Sequence, residues 1–115
     1  MWVCVALLGG VGALLRFGLD GLVASRAGGA EFPLGTFAVN VSGSFALGVL
    51  AGAAMHGDAL LLTGTATLGS YTTFSTWMFE THRLGEDGSF AVAALNIVVS
   101  LAVGVCAAAL GRAIV

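Results

Sequence analysis

The side chains best suited to holding an ion are concentrated in one run. GSYTTFSTW, residues 69–77, places six hydroxyls behind a glycine and carries the aromatics Phe74 and Trp77. Hydroxyls offer a donor and lone pairs together, and Gly69 with the β-branched Thr72 and Thr73 weakens a helix. A helix broken here frees carbonyl oxygens that suit a hard cation such as Na⁺. The alternative is an intact helix whose threonines bond back to the preceding turn; the glycine and the hydroxyl density favour the break. Phe74 and Trp77, three residues apart, share a face of the half-helix that follows. Their ring edges are positive and can lie against an anion, although an aromatic pair in a membrane helix commonly means packing.

Other polar residues stand alone in apolar sequence. Asn40 offers two N–H donors and one carbonyl: the donors suit an anion, the carbonyl a cation, and a helix–helix hydrogen bond would use either. Asn96 and Ser100, four apart, form a polar line on one helix face. Arg16 and Asp20 have the same spacing and can pair. An ion pair or a cap on nearby carbonyls is preferred to ion conduction for Arg16, because a fixed cation in a pore would trap an anion. Ser42 and Ser44 can bond back to their own helix. Glu80, beside His82 and Arg83, reads most simply as a water-facing end cap. His56 and His82 lack partners at metal-ligand spacing, and Cys4 and Cys106 read as small apolar residues.

The elements that position these groups follow from composition. Of 115 residues, 58% are hydrophobic and 9% charged, and the mean hydropathy is +1.03. A soluble domain devotes about a quarter of its residues to charge, so this chain cannot cover a water-facing surface and reads as an integral membrane protein. With no lysine and a net charge of −2, it has no basic stripe for nucleic acid. Apolar runs over 3–23, 34–55, 59–80 and 90–110 predict four transmembrane helices in a single domain, the third broken mid-membrane. Pro33 suits the first turn of the second span, and His56–Asp58 allows only a tight reversal. The first span lacks the charged start and short apolar core of a secretory signal.

Small residues spaced by four, Ser44–Gly48–Gly52 on span two and Ser100–Gly104–Ala108 on span four, mark helix contact faces. They serve contacts within one chain or between two. Four short helices enclose little, so a water-filled path calls for a second subunit. Arg26 and Arg83 lie on one side and Arg112 on the other, or three against one with Arg16 counted; so weak a bias permits insertion in both orientations.

Taken together these segments resemble the fluoride channel (Fluc, or CrcB) family of small bacterial membrane proteins. GGVGALLR at 9–16, GTFAVNVSGSFALG at 35–48, GSYTTFST at 69–76 and ALNIVVSL at 94–101 match the four helices in order. The resemblance implies an antiparallel, dual-topology homodimer in the inner (plasma) membrane, exporting F⁻ passively through two pores. It implies a structural Na⁺ at the dimer centre, held by the carbonyls of Gly69 and Thr72. Asn40 would donate to fluoride, Phe74 would line the pore, and Ser100 would belong to a polar track that Thr73 and Thr76 extend. Glu80 matches an acidic position just past the motif. Trp77 stands where the family has its second pore phenylalanine, and Ser70 replaces the second glycine of the break.

Three other readings compete. One is a half of a heterodimeric fluoride channel built from two related chains. A small proton-coupled multidrug exporter has similar length but needs a mid-membrane carboxylate, and spans two to four hold none before Glu80. A scaffold subunit would need no helix break. No nucleophile–base pair or metal cluster points to an enzyme.

Overall fold

The computed structural model describes all 115 residues, Met1–Val115, as helices and turns with no strand. In chain order these are α1 (Trp2–Arg26), α2 (Leu34–Gly52), α3 (Gly57–Leu60), a π-helical segment (Leu61–Leu68), α4 (Gly69–Tyr71), α5 (Ser75–Glu86) and α6 (Phe90–Ala113). Three of them, α1, α2 and α6, are long and apolar enough to cross a bilayer. The run expected as a third span is divided: α3, the π-helical segment and α4 follow one another directly, and a gap at residues 72–74 separates them from α5. Left-handed Gly28 and Gly29 (φ 65° and 80°) turn the chain between α1 and α2. The Pro33 carbonyl accepts from Phe37 N–H (3.1 Å) as α2 begins.

Burial of apolar surface does little to hold these helices together. Only 10 of 115 residues are buried, Val39 and Ala66 alone forming an apolar core, while Leu14, Phe17, Val98 and Val105 face outward. That is the pattern of a chain solvated by lipid, where close backbone approach replaces hydrophobic burial. The approach is closest between α2 and α6. A Cβ on Gly48 would stand 2.8 Å from the Ala108 carbonyl carbon, and one on Gly111 would stand 3.0 Å from the Val49 nitrogen. The small-residue lines of the two helices therefore meet each other within one chain. On the other side of the molecule, α1 lies against the π-helical segment through Gly12, where a Cβ would stand 3.1 Å from the Thr67 carbonyl carbon.

Two of the three threonines of the π-helical segment bond back to the chain before them. Thr63 Oγ1 donates to Ala59 O (2.6 Å) and Thr67 Oγ1 to Leu62 O (2.7 Å), a reach of four and five residues. The five-residue reach matches the wider turn, a form that occurs in short pieces and often beside functional sites.

These contacts generate a test. Gly48→Val should force backbone apart and destabilise the protein by about 1–3 kcal/mol, whereas Gly85→Ala, in a helix with no atom within 4 Å of the new methyl, should be neutral or mildly stabilising. Thermal unfolding in detergent, followed by circular dichroism, separates the two. Equal melting temperatures would show that the α2–α6 approach is not what holds the pair.

Candidate functional site

The gap between α4 and α5 is built by two adjacent threonines. Thr72 leaves helical geometry for an extended one (φ −80°, ψ 159°), which β-branched residues adopt readily. Its own N–H and hydroxyl both still reach back to Leu68 O, each at 3.0 Å. Thr73 is the first residue whose backbone has no helical partner. Phe74 returns to helical dihedrals (φ −89°, ψ −42°), and Thr73 Oγ1 accepts from Thr76 N–H (3.2 Å), capping the new helix.

Asn40, 33 residues earlier on α2, supplies what the helix withdraws. Its Nδ2 donates to Thr73 O and its Oδ1 accepts from Thr73 N–H, both at 2.8 Å. The side-chain amide thus pairs with the peptide unit as a neighbouring strand would, and this donor–acceptor match fixes which way the amide points. One Nδ2 hydrogen is left over. The diverted Thr73 N–H is the donor that a continuous helix would give to the carbonyl of Gly69.

The break therefore lies within the expected run, at its threonines rather than at its glycine. Gly69 is helical (φ −63°, ψ −34°), because a glycine permits a break but does not require one. Before the gap, the expected alternative of back-bonded hydroxyls is also realised: Ser70 donates to Ala66 O (2.7 Å) as Thr72 does to Leu68 O. Tyr71 Oη instead meets Ser42 Oγ (2.8 Å) on α2.

Beside the gap, residues of α2, α5 and α6 line an open groove of about 420 Å³. Asn40, Thr72, Thr73, Phe74, Trp77 and Ser100 line it, with Leu101 and Val105 among its apolar walls. Phe74 is 70% exposed at the open side. Its ring stands edge-on to that of Trp77, with centroids 5.9 Å apart at 86°, the arrangement that the ring quadrupoles favour.

Thr76, Arg16 and Glu80 are not brought into that groove. Thr76 and Arg16 line a smaller neighbouring cavity of about 200 Å³ with Asp20, Thr36 and Thr73, so Thr73 is the residue shared by both. Glu80 lines neither, and its Oε1 is buried without a hydrogen-bond partner, as is Thr36 Oγ1. The expected Arg16–Asp20 ion pair is absent: the chain's one ion pair joins His82 to Glu86. Asp20 turns its carboxylate across to α2, against the bare Cα of Gly35, rather than along α1. His56 sits in the turn after α2, with Nδ1 2.9 Å from Ala54 O.

Sequence reasoning found the most highly connected residue near the groove, Asn96, but not what it connects. Asn96 on α6 is 1% exposed; it meets Trp77 and Thr81 of α5 and accepts from Ser100 Oγ at 3.4 Å. Its four-residue spacing to Ser100 is visible in the sequence, but its partners on α5 are not.

Comparison with known proteins finds relatives along nearly the whole chain. The family model described as CrcB-like protein, Camphor Resistance (CrcB), matches residues 3–112. A protein of Mycolicibacterium paratuberculosis named fluoride-specific ion channel FluC 2 is 56% identical over 97% of this chain and 91% of its own length. The FluC 2 of Mycobacterium tuberculosis is 53% identical over 97% and 88%. The fluoride-specific ion channel FluC 1 of Symbiobacterium thermophilum is 36% identical over 98% and 95%. With the family model covering nearly the whole chain, and three helices able to cross a membrane, this multi-pass membrane protein belongs to the CrcB family.

Proposed function

We propose that this chain is a fluoride-selective ion channel of the plasma membrane, not an enzyme, which lets F⁻ leave the cell passively and so relieves its toxicity. The observation that carries the reading is the groove. A small anion surrenders its hydration shell only to a path that replaces it with donors. The groove gathers the spare Asn40 N–H and the ring edges of Phe74 and Trp77 in one place, beside the Ser100 hydroxyl, whose proton is shared with Asn96 Oδ1 at 3.4 Å. The relatives named fluoride-specific ion channels match this chain along nearly their whole length.

The groove is open on one side, and an anion there would meet lipid. We therefore assign a second copy to its closure, with the segmented run from α3 to α5 serving as the third of four membrane crossings. An antiparallel pair related by a two-fold axis would make two equivalent pores, and the weak arginine asymmetry is compatible with both insertions. Thr73 sits at the junction of the groove with the smaller cavity. We give Thr76 and Glu80 to the continuation of the path beyond it, and Arg16 to the support of its wall.

A structural Na⁺ would be held by the carbonyls of Gly69 and Thr72. The donor set fits: these are hard oxygens, and the N–H that would have served Gly69 in a continuous helix is given to Asn40. When bound, the ion supplies a fixed positive charge beside the anion path. Flux and dimer stability should both fall when N-methylglucamine replaces Na⁺ throughout purification; unaltered values would remove the ion from the assembly.

The exporter reading calls for a mid-membrane carboxylate, and the long helices α2 and α6 contain none. Liposomes holding the purified chain should release fluoride rapidly and chloride slowly, read with ion-selective electrodes. No release from folded protein, and none on co-expression with a related chain, would defeat the channel reading. Asn40→Asp sets a carboxylate oxygen against Thr73 O and removes the spare donor, so flux should drop about ten- to a hundred-fold. Phe74→Ile, which removes the ring edge but touches no hydrogen bond, should slow flux while leaving the oligomer intact by size-exclusion. Wild-type rates in both variants would take these residues out of the pore.

A further inference from the structure

Trp77 brings an indole N–H to the groove, which a phenylalanine could not, and the obvious use for it is as one more donor to the anion. The hydrogen bonds point elsewhere. Trp77 Nε1 donates to the backbone carbonyl of Asn96 (3.0 Å). Asn96 Nδ2 donates to Thr81 Oγ1 (2.8 Å), and Thr81 Oγ1 donates to the Trp77 carbonyl (2.8 Å). The bonds close a ring from Trp77 through α6 and back to Trp77. At 1% exposure Asn96 has no water to turn to, so breaking one member strands its partners. Ser100 Oγ, in the groove, reaches the same Asn96 through Oδ1 (3.4 Å).

From this ring we propose that Trp77 is a positioning residue and that its N–H is no ligand of the anion. Resting on the channel reading, the inference gives the indole two tasks: it ties α5 to α6, and it holds the Phe74 ring edge-on in the groove. Toward the anion Trp77 offers only carbon-bound ring hydrogens, like the phenylalanine it replaces. Unlike a phenylalanine, it is locked in orientation by a bond at its far edge. The width of the groove is thereby set by Thr81 and Asn96, neither of which lines it.

Two measurements test this. In detergent-solubilised wild-type protein with ¹⁵N-labelled tryptophan, the Trp77 indole resonance, told from that of Trp2 by Trp2→Phe, should exchange slowly with water. It should also stay in place on titration with sodium fluoride. A fluoride-dependent shift localised to that N–H would overturn the proposal, and this result stands whether or not liposome flux is observed. In liposomes, Thr81→Val should lower maximal fluoride flux several-fold, as Trp77→Phe does, without moving the fluoride concentration that half-saturates it. The double variant should be no slower than the slower single one. A raised half-saturating concentration in Trp77→Phe alone, strictly multiplicative effects in the double variant, or wild-type flux in Thr81→Val would each sink the latch. Failure of wild-type flux with a protected, fluoride-insensitive indole would count against the channel reading and leave the ring of bonds standing.

Discussion

A helix that stops inside hydrocarbon has to hand its backbone groups to something other than water. Each group left unpaired there costs several kcal/mol, and in the channel reading residues 72–74 interrupt a helix at such a depth. The two hydrogen bonds from Asn40 to the Thr73 peptide meet that demand, and much else follows from them. They make the interruption tolerable, they fix α2 against the start of α5, and they leave Asn40 a single N–H to give elsewhere. The remaining N–H belongs to a residue that lines the groove.

The groove depends in turn on how closely α2 and α6 approach. Gly48, Gly52 and Gly111 let backbone touch backbone, bringing Ser100 across from Asn40. Larger residues would hold the helices apart and leave the two polar groups on separate surfaces. The same contact uses up the small-residue faces inside one chain. What each chain keeps for the outside is therefore a half-walled groove and an apolar exterior, which is how a subunit of a lipid-embedded assembly should look.

Polar satisfaction also sorts the groups that remain free for an ion from those that do not. Ser70, Thr72, Thr63 and Thr67 give their hydroxyl protons to helix carbonyls, Trp77 gives its N–H to the Asn96 carbonyl and Ser100 its proton to Asn96 Oδ1, whereas Thr73 caps α5 as an acceptor. A hydroxyl-rich sequence thus yields a site with few spare donors, bordered by ring edges. A sparse site of this kind suits a small anion, which needs few but well-aimed donors, better than a large one that gains from a broad polar surface.

By itself the sequence determined what hydropathy and local spacing can express. Sparse charge put the chain in a membrane, the apolar runs around Trp2–Arg26, Leu34–Gly52 and Phe90–Ala113 became its long helices, and the glycine and threonines of 69–77 announced an interruption. Asn40 and the Phe74–Trp77 pair stood out because polar and aromatic residues in that setting need a reason. Tertiary structure alone decided where the interruption falls and which donors survive it. Thr72 rather than Gly69 breaks the helix because Asn40, 33 residues away, can serve Thr73. Arg16 and Asp20 share a helix face yet do not pair, because Asp20 packs across the interface onto Gly35. Trp77 loses its N–H to a carbonyl of α6 that no spacing within α5 reveals. Residues three or four apart on one helix are neighbours by geometry, but a hydrogen bond between helices depends on their separation and rotation, and those are set by the packing of the whole chain.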